Sequence, residues 1–306
     1  MIDLSSQVKV YLKHCEYQRK LSEKTLRAYG IDLRQYVMST LGYDNALERD
    51  AIADYIQQLH FKFKPKTVKR KVASLRAFLN FLEFERVIGE NPLAKMRLGF
   101  REPIVLPKSL TFNAINKLLN QAYAVQKEAG MGFKKKAAVR NSAILELLFA
   151  TGLRVSELCS ITSATINLQD GRINVLGKGA RERIVYVSNP EVISALKQYY
   201  GLFENQILST GWFFINKLGN RFSEQSVRTM IRAYADMAHL SEHITPHTIR
   251  HSFATLMLDE DVDIRYIQSI LGHSSIATTQ IYTHVSGSKV KSIMQKKHPR
   301  NKIHIE

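Results

Sequence analysis

An arginine that directly follows a break between two helical patterns has the type and place needed for chemistry on phosphate. Arg154 stands in Thr151-Gly-Leu-Arg-Val-Ser-Glu-Leu158, just past the glycine. A helix start offers free N–H groups and a positive dipole, and a guanidinium adds a planar fork of donors that fits phosphate oxygens. Glu157, three residues on, is placed to orient that guanidinium. By itself the motif is weak, because most Arg–Glu pairs at this spacing are surface pairs.

A second candidate of the same kind lies in Thr245-Pro-His-Thr-Ile-Arg-His251. Its threonine can cap a helix and its proline suits the first turn. His247 and Arg250 then share one face, so an imidazole and a guanidinium come together at a helix start. A metal site at His247 and His251 is the competing interpretation, but no carboxylate or thiol cluster stands nearby to complete it. We therefore expect no bound metal.

Three further residues carry groups that can donate a proton or attack phosphorus. Lys178 lies in a Gly-Lys-Gly turn, which we predict to be a hairpin turn between β-rich segments at 172–176 and 184–187. His273 follows a glycine that ends a short apolar helix, and Tyr282 comes nine residues later. Taken singly, a hairpin lysine is often only a solvated charge, and most of the 13 tyrosines are expected to be packing residues.

Helices must position most of these residues. From residue 3 to 98 the apolar positions recur at helical spacing, which predicts four helices. Ser22 is the predicted cap of the second helix and Asp50 of the third, and Pro65 suits the first turn of the fourth. Residues 99–109 hold two prolines and no helical period, which is typical of an extended linker.

Beyond the linker, helices again predominate. Thr111 opens a helix, and an apolar run at 143–150 predicts a buried helix that ends at Gly152. The chain from Pro190 onward is mostly helical. With the single hairpin between, the pattern predicts a mainly α protein with a small β-hairpin sheet in its second part.

The charge of the chain indicates a polyanionic partner. There are 44 Lys and Arg against 27 Asp and Glu, a formal net charge of +17, and the excess is spread along the chain. Six basic residues with no acid between them surround the start of the fourth predicted helix, a surface suited to phosphate, with a solvated charged face as the alternative. They are Lys62, Lys64, Lys66, Lys69, Arg70 and Lys71. Arg181, in the predicted hairpin turn, joins them as a candidate nucleic-acid-binding residue.

Composition excludes several other classes of protein. Hydrophobic residues make up 45% and charged residues 23% of the 306 residues, an ordinary globular balance. The longest apolar runs are far shorter than the ~20 residues of a membrane span, and the first residues lack the pattern of a secretory signal. Two cysteines cannot form a disulfide framework, so we expect a cytoplasmic protein with no membrane partner.

Together these motifs resemble one known family, the tyrosine recombinases, also called the phage integrase family. Six residues stand in the order and spacing of that family: Arg154 in Gly-Leu-Arg-x-x-Glu-Leu, Lys178 in Gly-Lys-Gly, His247-x-x-Arg250, Leu-Gly-His273 and Tyr282. The likeness is strong from about 143 to 284 and moderate from 22 to 98. The short Xer-type and integrase-type members are the most similar.

The resemblance implies a catalytic role for each of these residues. Tyr282 would be the nucleophile and would form a 3′-phosphotyrosyl bond with DNA. Arg154 and Arg250 would hold the non-bridging oxygens, and Lys178 would protonate the leaving 5′ oxygen.

The two histidines would complete that set. His273 would donate a further hydrogen bond, and His247 would assist proton transfer or orient the phosphate. Because the covalent bond to tyrosine conserves the energy of the phosphodiester, the resemblance implies neither ATP nor a metal, and we expect no cofactor.

The resemblance also implies a domain organisation and an assembly. Residues 1–98 would form a helical, SAM-like DNA-binding domain, 99–109 a linker, 110–288 an α+β catalytic domain and 289–306 a tail helix. The partner would be double-stranded DNA, with four copies of the chain on paired sites exchanging strands through a Holliday junction. Participation of a second recombinase or an accessory protein is left open, as is the choice among integration, excision, inversion and dimer resolution.

Two other functions remain as alternatives. A type IB-like topoisomerase would use the same chemistry as a monomer, but the short N-terminal part argues against it. A DNA-binding protein without catalysis is the other, and the complete set of six residues argues against that.

The tail after the predicted nucleophile has two possible docking partners. Val290, Ile293 and Met294 form a narrow apolar stripe, which a helix of about ten residues must bury against something. The tail could dock on its own protomer or on a neighbour, and the family resemblance favours the neighbour.

Overall fold

Two units make up the chain, Met1–Val105 and Leu106–Glu306. The computed structural model describes residues 2–96, 98–99, 109–177, 182–272 and 287–305. Most of the predicted linker therefore lies outside the described residues.

Four helices account for most of the first unit, as the spacing of its apolar residues predicts. They are α1 (Leu4–Tyr17), α2 (Glu23–Ser39), α3 (Arg49–Lys62) and α4 (Pro65–Phe84). The Ser22 side chain accepts a hydrogen bond from the Thr25 N–H and caps α2, and Pro65 occupies the first turn of α4. The apolar faces meet in a core that includes the buried rings of Tyr11 and Phe78.

The predicted cap of α3 is wrong. The helix begins at Arg49, the residue before it is Glu48, and no side chain caps it. Asp50 lies inside the first turn, where its carboxylate is stabilised by the positive end of the helix dipole. An acidic residue at a helix start suits either position, and the local sequence does not distinguish them.

The second unit is mainly helical and is built around one buried helix. Its helices are α5 (Phe112–Glu128), α6 (Phe133–Thr151), α7 (Val155–Cys159), α8 (Pro190–Thr210), α9 (Glu224–Met237), α10 (Pro246–Asp259), α11 (Ile264–Leu271) and α12 (Gly287–Lys297), followed by a 3-10 helix (Pro299–Lys302). The second half of α6 is buried nearly all round, and α5, α8 and α10 pack against it. Gly152 ends α6 in the left-handed conformation, as predicted.

A three-stranded antiparallel sheet in the order β1-β2-β3 interrupts the helices. Its strands are β1 (Ile166–Asn167), β2 (Arg172–Leu176) and β3 (Glu182–Tyr186). Leu176 pairs with Glu182, so the two predicted strands pair as expected, although β3 begins two residues before the predicted 184–187. Residues 178–181 of the predicted turn lie outside the described residues. β1 is absent from the predicted elements because two residues are too few to show an alternating pattern. The mainly helical architecture with a small sheet in the second unit confirms the predicted fold class.

The C-terminal tail packs against its own unit. Val290 and Met294 of α12 lie in an apolar cluster with Phe253. Arg300 is fully buried and donates hydrogen bonds to both carboxylate oxygens of Glu146, each at 2.7 Å. In this single chain the tail therefore lies in cis, and the docking on a neighbouring protomer that the family resemblance favours stays a prediction.

Across the part of the chain that the structure describes, no helix has the length and apolar character needed to cross a membrane.

Candidate active site

Arg154 immediately precedes α7, and Glu157 holds its guanidinium. Arg154 Nη1 donates to Glu157 Oε1 at 2.8 Å, and the backbone N–H of Arg154 donates to Oε2 at 2.8 Å. The carboxylate side chain is only 4% exposed, whereas the arginine side chain is 32% exposed. The result is a guanidinium of fixed orientation that remains accessible, which suits the capture of an external anion.

α10 delivers Arg250 to the same region. Thr245 caps the helix and Pro246 occupies its first turn, both as predicted. The buried side chain of Arg250 donates from Nη1 to the Gly152 carbonyl and from Nη2 to the Leu271 carbonyl, each at 2.7 Å.

Arg250 and Arg154 are electrostatic neighbours. Burial, and after it the positive charge of Arg154, lowers the pKa of Arg250 to about 10. Arg250 still carries its charge at neutral pH, so the site presents two guanidinium groups whose mutual repulsion an incoming anion would relieve.

A third arginine, absent from the predicted set, completes this group. Arg183 on β3 donates from Nη1 to Glu157 Oε1 and from Nη2 to Oε2, both at 2.9 Å. Burial alone would raise the pKa of Glu157, but hydrogen bonds from Arg183 and then Arg154 lower it to about 2. The signal that could have found this residue is the period of the strand, because Arg183 shares a face with the buried Val185.

The last turn of α11 brings the three arginines together. Its final carbonyls accept in sequence from three different side chains: Ile270 from Arg183 Nε at 3.2 Å, Leu271 from Arg250 Nη2 at 2.7 Å and Gly272 from Arg154 Nη2 at 3.2 Å. The carboxyl end of a helix carries partial negative charge, which favours cations there. Gly272 ends the helix in the left-handed conformation, and His273 follows it directly.

His247 occupies the first turn of α10 and is exposed, three residues before Arg250. The neighbouring His251 is partly buried. Within the described ranges, no three His, Cys, Asp or Glu side chains group in a way that could hold a metal ion.

Four predicted residues, Lys178, Arg181, His273 and Tyr282, lie outside the described residues. The first two fall between Leu176, which ends β2, and Glu182, which begins β3. Their roles stay predictions. The described part of the site therefore consists of Arg154, Glu157, Arg183, Arg250 and the exposed His247.

The basic residues at the start of α4 divide into two groups. Lys62, Lys64, Lys66 and Lys69 are exposed. Arg70 is about half exposed and pairs with the buried carboxylate of Asp32. Lys71 is only 3% exposed, and its Nζ donates to Asp32 Oδ1 at 3.0 Å.

Lys71 is therefore a correction to the predicted DNA-binding set. Its ammonium is occupied inside the first unit and does not lie on the surface. The physical reason is the helical period, because Lys71 falls on the buried stripe of α4 between Val68 and Leu75.

Comparison with known proteins shows the family of the chain. Residues 108–289 match the model of the phage integrase family, and residues 8–86 match that of the phage integrase N-terminal SAM-like domain. A tyrosine recombinase of Agathobacter rectalis is 45% identical over 305 residues, which cover 99% of this chain and 100% of that protein. The tyrosine recombinase XerC of Thermodesulfovibrio yellowstonii is 37% identical over 299 residues, 95% of this chain and 96% of that protein.

Two solved structures share the fold. The XerH site-specific recombinase in a pre-cleavage complex with its difH substrate has a TM-score of 0.69 at 20% identity, covering 94% of this chain and 82% of that one. A lambda integrase dimer bound to a COC′ core site has a TM-score of 0.68 at 19% identity, covering 93% and 99%.

The chain belongs to the phage integrase family, the tyrosine recombinases, which are enzymes that break and rejoin DNA. Its overall resemblance to the Xer proteins extends over nearly its full length.

Proposed function

We propose that this chain is a site-specific recombinase that cuts double-stranded DNA by transesterification and rejoins it to a new partner strand. The observation that supports this most directly is the cationic centre at the end of α11. Arg154 and Arg250 come from separate helix starts and reach adjacent carbonyls of one helix turn. Two preorganised guanidinium groups suit the extra negative charge of a five-coordinate phosphorus, which is where electrostatic catalysis has its largest effect.

The reaction requires a nucleophile and a proton donor besides this centre. The hydroxyl oxygen of Tyr282 attacks the phosphorus and loses its proton, the bond from phosphorus to the 5′ oxygen breaks, and Lys178 supplies a proton to that oxygen. The product is a 3′-phosphotyrosyl bond and a free 5′ hydroxyl. Attack by a 5′ hydroxyl from another strand reverses the steps and releases Tyr282. Each step exchanges one phosphoester for another, so no ATP enters the balance.

The histidines assist the same phosphate. His247 lies at the start of α10 on the helix that carries Arg250, a place from which it would orient the phosphate or relay a proton. His273 follows the turn on which the three arginines converge, and it would donate a further hydrogen bond to a non-bridging oxygen.

Charge and the relatives support DNA as the partner and a multimeric assembly. The net charge of +17 and the exposed lysines at the start of α4 provide phosphate-binding surface. Lambda integrase, which shares the fold, is known as a tetramer bound to a Holliday junction. We propose the same stoichiometry for this chain on paired sites. The two cysteines are free and buried, in agreement with a cytoplasmic location.

Covalent trapping on a randomised DNA library tests the proposal. Wild-type protein is incubated with the duplexes, denatured and separated, and the DNA that remains attached to protein is sequenced. We expect a recurrent site made of two inverted half-sites. Recovery of unrelated sequences, or of no adduct at all, would contradict site-specific cleavage.

A plasmid carrying two copies of the recovered site then separates recombination from relaxation. A recombinase deletes the segment between directly repeated copies and inverts the segment between inverted copies, whereas a topoisomerase changes only the linking number. Binding without either product would identify a DNA-binding protein without catalysis. A plasmid with one copy is the matched control, since a tetramer on paired sites cannot rearrange it internally.

A further inference from the structure

Arg183 joins three elements that carry or flank the candidate catalytic residues. It lies on β3, which begins at Glu182, four residues after Lys178 in the sequence. Its side chain, 13% exposed, reaches Glu157 in α7 and the Ile270 carbonyl in the last turn of α11. The proposed function assigns this side chain no role.

Arg183 and Arg154 together keep the Glu157 carboxylate ionised and oriented. Each carboxylate oxygen accepts two hydrogen bonds, one from Arg154 and one from Arg183. A buried carboxylate needs such partners, because burial without them favours the neutral acid. Loss of Arg183 would remove half of these hydrogen bonds. It would also remove the bidentate guanidinium–carboxylate pair that prevents the carboxylate from rotating.

The aliphatic part of Arg183 packs beneath the turn that ends α11. A Cβ placed on Gly272 would lie 3.0 Å from Arg183 Cδ and 3.1 Å from Cζ, so the arginine is packed tightly against this glycine. The Gly272 carbonyl is the acceptor for Arg154 Nη2. Arg183 therefore packs against the turn that Arg154 binds, while its hydrogen bonds reach Arg154 through Glu157.

We propose that Arg183 is a positioning residue that holds Glu157, and through it Arg154, against the end of α11. The inference rests on the proposed function, since it assigns Arg183 to the cleavage reaction. Arg183 acts before substrate arrives: it holds the Arg154 fork in one orientation, so that the phosphate meets donors already in place. A displacement of about 1 Å in such a group lowers a rate by about 10²-fold.

Single-turnover cleavage of the site recovered by covalent trapping tests this assignment. For R183A we expect the rate of adduct formation to fall by about 10²-fold, while the dissociation constant for the same DNA changes by less than about twofold. R172A removes an exposed arginine from the adjacent strand and is the matched control, with a rate within about twofold of wild type. If R183A cleaves as fast as R172A, the assignment is wrong.

A double-mutant cycle with E157Q distinguishes positioning from a general effect on folding. Because Arg183 acts through Glu157, R183A should slow the E157Q protein by no more than about threefold. If the rate loss of the R183A/E157Q protein equals the product of the two single-variant losses, the assignment is overturned.

R183K keeps the positive charge and the aliphatic chain but lacks the planar guanidinium that donates to both Glu157 oxygens. It therefore tests the assignment even if R183A fails to fold. We expect a thermal unfolding midpoint near that of wild type and a cleavage rate reduced by at least about tenfold. A rate for R183K equal to that of wild type would overturn the assignment. If wild-type protein forms no adduct, the proposed function itself is wrong. This outcome differs from a failure of the Arg183 assignment, in which wild-type protein still forms the adduct.

Discussion

Among the described residues, Glu157 is the only acidic side chain that pairs with the group formed by Arg154, Arg183 and Arg250. One carboxylate among three guanidinium groups leaves a net positive site. The carboxylate orients two of these groups without neutralising the region. This balance suits a site that receives a phosphate, because full neutralisation would remove the attraction and the absence of Glu157 would leave the arginines to repel one another.

The depressed pKa of Glu157 predicts a pH-dependent stability of the second unit. Its ordinary value is 4.5 and its value in the folded chain is about 2. A group whose pKa is lowered by folding stabilises the fold fully above its unfolded pKa, and that stabilisation is lost as the pH falls toward the folded pKa. The difference in free energy of unfolding between wild type and E157Q should therefore be largest above pH 5 and should shrink between pH 4.5 and 2.

Urea denaturation followed by fluorescence measures this difference, because Trp212 is the only tryptophan and lies in the second unit. E204Q, at an exposed carboxylate on α8, is the matched control. A difference between wild type and E157Q that stays constant from pH 7 to pH 2 would contradict the assignment of ion pairing to Glu157.

Gly152 allows a second test at a single residue. Its φ of +60° disfavours any side chain, and an added Cβ would lie 2.7 Å from Leu271 Cδ2 and 2.8 Å from Phe253 Cδ1. G152A should cost about 1–2 kcal/mol from the left-handed backbone and about 1–3 kcal/mol more from overpacking. G219A has a φ of +78° and open space around it, so it should show only the backbone part. Equal losses in the two urea titrations would show that the packing at Gly152 is not tight.

Elements with local signals in the sequence are those that could be predicted. Thr245 and Pro246 start α10, and Gly152 and Gly272 end α6 and α11, because capping and left-handed turns depend on one or two residues. The misassignment of Lys71 arose from counting charge along the chain. The helical period places that lysine on the buried face, where Asp32 compensates it.

The exposed start of α4 predicts a salt dependence of DNA binding. Lys64 and Lys66 are exposed beside the first turn of the helix. Each phosphate contact releases bound counterions and adds about −0.9 to the slope of log K against log salt concentration. The K64A/K66A protein should therefore bind the recovered site more weakly, with a slope shallower by about two.

The control for this experiment is K9A/K13A, which removes two exposed lysines from α1 of the same unit. Binding isotherms from 50 to 300 mM salt provide the slopes. If the two double variants give the same slope, the start of α4 does not contact phosphate.

The tail anchors the second unit through residues far apart in the sequence. Arg300 and Glu146 are both fully buried, and Arg300 Nη1 also lies 2.6 Å from Glu191 Oε2. Such a pair could not be predicted, because no periodicity or motif links two residues separated by 154 positions. Arg183 and Glu157 pose the same difficulty. The sequence supplied the residues that begin and end helices, whereas the pairing of buried charges depends on the assembled fold.

The Arg300–Glu146 pair predicts a large effect of single substitutions on stability. R300M should lower the free energy of unfolding by about 3–5 kcal/mol, because it leaves the Glu146 carboxylate buried without its partner. R300M/E146L should lose less than R300M alone, since two apolar side chains bury no charge. R228A breaks an exposed pair with Glu224 and should change stability by no more than about 1 kcal/mol. A loss for R300M as small as that for R228A, in urea titrations followed at Trp212, would show that the tail is not anchored there.

Attachment of DNA to Tyr282 is the measurement that tests the central claim most directly. End-labelled duplex carrying the recovered site is incubated with wild type, Y282F or Y266F, and the denatured products are separated by size. Y266F removes the same hydroxyl from another tyrosine, on α11, and is the control. We expect wild type and Y266F to form an adduct joined to the 3′ phosphate, and Y282F to bind the duplex with unchanged affinity but form none. An adduct with Y282F would contradict the assignment of the nucleophile and, with it, the proposed mechanism.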